Sequence, residues 1–148
     1  GDGNNMANSL IVGGLKVGMN VAVATPDGYK PDGAVLEFTK GYGDKFALET
    51  DPFMAASGAD ILITDTWTSM GEEAEKEERK KIFNDYQINR QLLAAANAGA
   101  MVQHCLPAYR GQEITEEVFE EHADEIFNEA ENRLHAQKAV MVKLMKKD

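Results

Sequence analysis

Cysteine, long apolar runs and positive charge are all scarce in this sequence of 148 residues. Cys105 is the single cysteine, which excludes an internal disulfide and fits a reducing compartment, so we expect a cytoplasmic protein. No apolar run approaches the roughly 18 residues that cross a bilayer, so no membrane span is predicted. Fifteen basic against 25 acidic residues give a net charge of -10, which argues against nucleic acid as a partner.

Metal and nucleotide sites lack their usual residues. His122 and His135 lie on separate predicted helices, and no second cysteine supplies the ligand spacing of a zinc site, so we expect no metal. The opening loop has Gly1 and Gly3, but Met6 stands where a dinucleotide fingerprint needs a third glycine. A nucleotide-binding Rossmann domain is an alternative, and it would require NAD or nucleotide binding at residues 1–6.

Predicted strands and helices alternate along the chain. Short apolar stretches predict strands at 20–25, 45–49, 61–64 and 100–102. Helical periodicity, caps and stop signals predict helices at 6–16, 31–40, 52–57, 72–81, 87–98, 116–122 and 129–147. This alternation predicts one α/β domain over residues 1–148, with a Rossmann-like, mostly parallel sheet and helices on both faces. The first strand of such a unit, expected just before Gly1, is missing.

The most charged stretch, 72–81, is predicted to be a solvent-facing helix without a site. Its acidic residues precede basic ones by four positions, as Glu75 precedes Arg79. Such pairs support a helix by a few tenths of a kcal/mol each.

Reactive side chains follow two of the predicted strands. His104 and Cys105 stand between a buried strand and Pro107, and Asp65 follows the strand at 61–64, four residues before Ser69. Ligands bind at the carboxyl ends of strands in open α/β sheets, so these positions predict one shared crevice. His104 and Cys105 are unsuited to act as a base and nucleophile pair, because neighbours on an extended strand point to opposite faces.

These side chains suit a small amino acid with a second amino group. Asp65 can accept from an ammonium group, Ser69 can add a hydroxyl, and the Asn5 amide can donate to a carboxylate. A thiol and a carboxylate near the far amine could set its protonation and its aim. The residues by themselves predict only the binding of a small amino acid.

Four segments, 1–5, 65–71, 104–107 and 129–133, resemble successive motifs of the ornithine carbamoyltransferase family, in the family's order. The Ser69-Met70-Gly71 and His104-Cys105-Leu106-Pro107 motifs are the specific ones. The resemblance implies transfer of the carbamoyl group of carbamoyl phosphate to the δ-amine of L-ornithine in arginine metabolism, in either synthesis or breakdown, giving citrulline and phosphate. It implies no metal and no organic cofactor.

The resemblance also implies residue roles. Residues that would hold the amino acid end of L-ornithine are Asn5, Asp65, Ser69 and Met70. Residues that would contact carbamoyl phosphate or the carbamoyl group are His104, Cys105, Leu106 and Arg133. Those expected to take part in catalysis are Cys105, Asp65 and Arg133.

Two phosphate-binding motifs of the family, Ser-x-Arg-Thr-Arg and His-Pro-x-Gln, do not occur in this chain. We therefore expect the L-ornithine-binding domain of a longer enzyme that is inactive alone and whose complete form is a homotrimer. An alternative is a non-catalytic amino-acid-binding or interaction module. The last helix in the family returns to the carbamoyl phosphate domain, so its apolar stripe, 134–145, either lacks a partner or folds back on this domain's sheet.

Overall fold

The computed structural model describes residues 1–68 and 75–146. Their strands are β1 (Val21–Ala24), β2 (Phe46–Glu49), β3 (Ile61–Thr64) and β4 (Met101–His104). Their α-helices are α1 (Asn5–Lys16), α2 (Gly33–Thr39), α3 (Pro52–Ala56), α4 (Lys76–Phe83), α5 (Arg90–Ala95), α6 (Glu116–Glu121) and α7 (Ala123–Met145). Short 3-10 helices follow α2 at Lys40–Lys45 and α4 at Asn84–Tyr86.

The strands pair in parallel, β1 with β2 and β3 with β4, and the predicted parallel α/β architecture is confirmed. In the second pair, Thr64 is the register partner of His104. Both strands end at these residues, so Asp65 and Cys105 follow at the same level. The register thus carries both reactive side chains to one edge of the pair.

Helices cover the strands and enclose an apolar core. Helices α1 and α3 pack on β1, and α7 packs on β4. The core around β3 and β4 consists of Ala56, Leu62, Ile88, Leu92, Val102, Ile114, Val118, Phe119 and Ile126. Burying such side chains is the main force that holds the strand ends in place.

Helix α4 differs from its prediction as a solvent-facing helix, because two of its side chains are buried. Its Phe83 is fully buried and stacks on Trp67, with 6.1 Å between the ring centroids. Its Arg79 is also buried, and the guanidinium donates to Asp2 at 2.6 Å and to the Trp67 carbonyl at 3.2 Å. The predicted pair with Glu75 is present at 3.1 Å. The helix therefore ties the opening loop to the loop after β3.

Several boundaries differ from the sequence prediction, and three of them lie next to the core or a cap. Helix α5 begins at Arg90, three residues late, because the Asn89 side chain accepts from the two amides that start the helix. Strand β4 continues to His104 in register with β3. Helix α7 begins at Ala123, six residues early, and its buried Ile126 explains this, since packing on β4 extends the helix.

The second half of α7 is exposed to solvent. Its exposed apolar side chains are Leu134, Val140, Met141, Val142, Leu144 and Met145. The first turns of the helix pack on β4, while the stripe expected to fold back or to lack a partner makes no part of the core. Across 1–68 and 75–146, no helix combines the length and apolarity needed to cross a membrane.

Candidate functional site

Asp65 and Cys105 meet at the carboxyl ends of β3 and β4. The Cys105 thiol donates to Asp65 Oδ1 across 3.1 Å, and the Thr66 amide donates to the same oxygen at 2.7 Å. Asp65 is partly exposed, whereas Cys105 is buried. The two strand ends therefore meet at one edge, as predicted, and place a partly exposed carboxylate against a buried thiol.

Asn4, and not Asn5, caps helix α1. The Asn4 side-chain oxygen accepts from the Met6 and Ala7 amides, and its Nδ2 donates to Asp65 Oδ2 at 3.0 Å. Asn5 is the first residue of the helix, and its side chain is exposed. Asn4 therefore takes the capping position, and the exposed Asn5 side chain is accessible to solvent or a ligand.

Cys105 is held as a neutral thiol. Burial, followed by the hydrogen bond and the negative charge of Asp65, raises its pKa to about 12. The positive charge of Arg133 acts in the opposite direction but is the weakest of these influences. A thiolate is the reactive form of cysteine, so this environment argues against a nucleophilic role at neutral pH.

Helix α7 brings a cation and an acid to the same edge. The Arg133 guanidinium donates to the Cys105 carbonyl at 3.2 Å. Glu129, one turn earlier, interacts electrostatically with Arg133 and Asp65, and burial raises the pKa of its carboxyl group. Its Oε2 is buried and has no hydrogen-bond partner in the part of the chain that the structure describes. Helix α7 thus places a guanidinium and an acid beside the strand end that carries Cys105.

The hydrogen bonds of the His104 side chain go to other partners. Its side chain is fully buried, its Nε2 lies 3.0 Å from Glu113 Oε1, and its Nδ1 accepts from the Leu106 amide at 2.9 Å. Direct contact with carbamoyl phosphate, as the resemblance implies, would require His104 to give up these contacts. Leu106 has a φ of 54° and is followed by a cis peptide bond to Pro107.

Sequence reasoning missed Asn4 and Glu113. Asn4 could have been found, because asparagine directly before a helix is a strong capping signal. Glu113 carries no such signal, since nothing in its spacing from His104 marks an acid that folding will bury beside the imidazole.

Ser69, Met70 and Gly71 lie outside the described residues, so their predicted roles stay predictions. Within 1–68 and 75–146, no three His, Cys, Asp or Glu side chains are grouped to hold a metal ion.

Comparison with known families matches residues 1–144 to one described as "Aspartate/ornithine carbamoyltransferase, Asp/Orn binding domain". The chain belongs to this family. Among its relatives, an ornithine carbamoyltransferase of Gloeobacter violaceus is 56% identical over 149 residues, covering 98% of this chain and 48% of the relative. One of Methanosarcina mazei is 51% identical over 146 residues, covering 99% and 48%. The chain spans about half the length of the curated relatives it matches.

Solved structures of ornithine carbamoyltransferases have the same fold as this chain over about half of their length. The anabolic ornithine carbamoyltransferase of Campylobacter jejuni superposes with a TM-score of 0.91 at 44% identity, covering 97% of this chain and 49% of that one. The enzyme of Gloeobacter violaceus gives 0.85 at 51% identity, covering 99% and 50%. The fold of this chain is therefore that of the corresponding half of these proteins.

Proposed function

We propose that this chain is the L-ornithine-binding domain of an ornithine carbamoyltransferase. The complete enzyme would transfer the carbamoyl group of carbamoyl phosphate to the δ-amine of L-ornithine and release citrulline and phosphate. The observation that carries the proposal is the meeting of Asp65 and Cys105, with Asn4 holding the second oxygen of the Asp65 carboxylate.

The charge of the site favours ornithine over aspartate. Asp65 and Glu129 supply negative charge at the strand ends, which attracts an amino acid with two ammonium groups. A second substrate carboxylate would instead need cationic groups. The relatives at 51% and 56% identity carry the name ornithine carbamoyltransferase, which supports the same choice.

The roles that we assign follow the resemblance of these motifs to the family. Ornithine would be held by Asn5, Asp65, Ser69 and Met70. The δ-amine and the carbamoyl group would meet Cys105, the Leu106 carbonyl and Arg133. Asp65 is bound by Asn4 and by the Thr66 amide, so its carboxylate is preoriented for a ligand.

The reaction requires the δ-ammonium to lose a proton to solvent before it can attack, and the second proton that the nitrogen releases on bond formation passes to the departing phosphate. Attack forms a bond from nitrogen to the carbamoyl carbon and breaks the bond from that carbon to the phosphate oxygen, which leaves with its electron pair. With a pKa of about 12, Cys105 stays protonated and acts as a hydrogen-bond donor and not as the base. Asp65 and Glu129, beside Cys105, would attract the ammonium form of the δ-amine. The Arg133 guanidinium would attract the negatively charged carbamoyl phosphate.

Charge stabilisation of the departing phosphate is the largest need in such a transfer. Arg133 supplies one positive charge, and the Ser-x-Arg-Thr-Arg motif that would supply more does not occur in the sequence. We therefore expect negligible citrulline formation by this chain alone. Formation of citrulline above background by the purified chain would contradict this expectation.

We further infer that the complete protein works in arginine biosynthesis as a cytoplasmic homotrimer. The lone free cysteine supports a reducing compartment. The biosynthetic role and the trimer rest on likeness to the family.

An amide chemical-shift titration of the chain with L-ornithine tests the binding proposal. We expect saturable shifts at Asn5, Asp65 and Cys105, and weaker or no shifts with putrescine or L-aspartate. The D65N variant should lose the response, because it removes the charge that attracts the ammonium group. Equal responses to all three ligands, or none in a well-dispersed spectrum, would contradict the proposal.

A complementation assay distinguishes an enzyme part from a non-catalytic binding module. The chain is mixed with the carbamoyl phosphate-binding half of a related enzyme, and citrulline is measured. Activity that depends on this chain and disappears with D65N supports the enzyme; ornithine binding without any activity favours the module.

A further inference from the structure

We propose that Glu113 and His104 form a buried positioning pair that fixes the backbone of Leu106 and so aims its carbonyl into the site. The functional meaning of this pair rests on the proposed function, in which that carbonyl meets the reacting amine. Neither residue touches the ligand in this proposal. Both act through the loop 104–113.

The contacts form a chain from Glu113 to Leu106. Glu113 Oε1 lies 3.0 Å from His104 Nε2 and accepts from the Tyr109 amide at 2.5 Å. His104 Nδ1 accepts from the Leu106 amide at 2.9 Å. Both side chains of the pair have no solvent exposure. One carboxylate oxygen therefore binds two points of the loop that follows β4.

The hydrogen bond from the Leu106 amide shows which tautomer the His104 imidazole adopts. Since the Leu106 amide donates to Nδ1, that nitrogen offers its lone pair and the ring proton stands on Nε2. The Nε2 proton then points to the Glu113 carboxylate. Glu113 thus selects the form of His104 that can accept from Leu106, as carboxylates commonly do for histidines that must present one nitrogen.

Leu106 needs such support because its φ of 54° is left-handed. A residue with a Cβ atom is strained in this conformation and keeps it only when its surroundings enforce it. The hydrogen bond from its amide to His104 is one such enforcement. The adjacent Cys105 carbonyl accepts from Arg133, so the loop is also held from the opposite side.

The pair is an unusual choice for stability alone. A buried carboxylate is costly to desolvate, and replacing buried polar pairs with apolar residues often stabilises a protein. Glu113 Oε2 is buried without a hydrogen-bond partner among the described residues, which adds to that cost. An apolar pair could not orient the Leu106 backbone in the same way, because it would offer no acceptor to the Leu106 amide.

Two variants test the hydrogen bonds of the two imidazole nitrogens of His104 separately. In H104Q, the glutamine amide nitrogen replaces Nε2 and keeps a donor for Glu113, but no acceptor remains for the Leu106 amide. In H104N/E113Q, the asparagine oxygen replaces Nδ1 and keeps the acceptor, while the glutamine at 113 avoids a lone buried charge. Folding is checked for both by amide dispersion and urea unfolding.

Two readouts are measured on the full chain: L-ornithine affinity by amide-shift titration, and the intraresidue amide-to-Hα nuclear Overhauser effect of Leu106, which is strong at positive φ. We expect H104Q to lose the strong effect and to bind ornithine roughly tenfold more weakly, the worth of about one hydrogen bond. H104N/E113Q should keep the effect and stay within about threefold of the original affinity.

The opposite result overturns the proposal. If folded H104Q keeps the Leu106 effect and its affinity, or if H104N/E113Q loses both as H104Q does, the pair does not act through this amide. If the unaltered chain fails to bind ornithine, the proposed function fails, while the Leu106 effect still decides whether the pair fixes the loop.

If H104Q does not fold, variants of Glu113 test whether the pair acts through the Leu106 amide. E113Q keeps a neutral acceptor for His104 and Tyr109, and E113L removes it at similar size. We expect E113Q to resemble the original chain in both readouts and E113L to resemble H104Q. Equal behaviour of E113Q and E113L in the Leu106 readout would contradict the proposal.

Discussion

Cys105 stays protonated at neutral pH because it is buried and donates to a carboxylate. Burial and Asp65 together raise its pKa to about 12. An acid whose pKa is raised by folding favours the protonated folded state, so this contribution to stability is present below the pKa of an unfolded cysteine, about 8.5, and is lost as pH rises toward 12. The thiol should therefore react slowly, which can be measured.

We predict that iodoacetamide alkylates native Cys105 at least about tenfold more slowly at pH 8 than the same chain in urea, because little thiolate is present. D65N should accelerate the native reaction, since it removes the negative charge beside the sulfur. Mass spectrometry gives both rates, and the sequence offers no other cysteine to confuse them. Equal native and unfolded rates would show that the site does not hold the thiol as described.

The neighbours Asn4 and Asn5 give a matched pair of variants. N4A should lower the free energy of unfolding by about 1 to 2 kcal/mol, because it removes the cap of α1 and the bond to Asp65. N5A should change stability by less than about 0.5 kcal/mol, because its side chain is exposed. If Asn5 holds ornithine, N5A nevertheless weakens binding. Urea unfolding and the ornithine titration measure both effects, and equal destabilisation would contradict the assignment of the cap.

At the scale of elements, α4 shows how a charged helix can hold a site together. Arg79 links Asp2, in the opening loop, with the Trp67 carbonyl, in the loop after β3. These two loops carry the Asn4 and Asp65 side chains that meet in the site. The buried Phe83 fixes the helix on Trp67 from the next turn.

Removing Arg79 should therefore cost much more than removing a surface lysine. R79A should lower the free energy of unfolding by about 3 kcal/mol, mainly because Asp2, whose side chain is 15% exposed, loses its counter-charge. D2N should recover part of that loss when combined with R79A. K80A removes the exposed pair with Glu77 and should cost less than about 0.5 kcal/mol. Urea unfolding of these variants tests the prediction, which fails if R79A and K80A cost the same.

At the scale of the whole molecule, the exposed half of α7 bears on assembly. Val140 and Leu144 are one helical turn apart, and they are 58% and 79% exposed. A row of apolar side chains in water favours association with another apolar surface. The rest of the described chain has its own core, centred on β3 and β4, and does not use this stripe.

We predict that the chain self-associates through this stripe at high concentration. Replacing Val140 and Leu144 with glutamate should shift the sedimentation mass toward that of a monomer, because it removes apolar surface and adds charge. K138E, on an exposed residue of the same helix, is the control for added negative charge. A chain that is monomeric at every concentration, or an equal effect of the control, would contradict this role of the helix.

Local patterns predicted most of the fold. Short apolar stretches identified β1 to β4, and periodicity with caps identified the helices, because strand and helix spacing depend on residues close in sequence. The motifs at the ends of β3 and β4 predicted one shared edge, and the register of Thr64 with His104 confirmed it. Family membership also followed from motifs that can be read along the chain.

The sequence by itself determined the α/β alternation, the parallel strands and the family, since each depends on local pattern or on motif order. Only the tertiary structure decided that Asn4 binds Asp65, that Glu113 is buried against His104, and that Arg79 is buried. These contacts join residues 9, 61 and 77 positions apart. Their geometry arises from packing of the whole core, which no local spacing records.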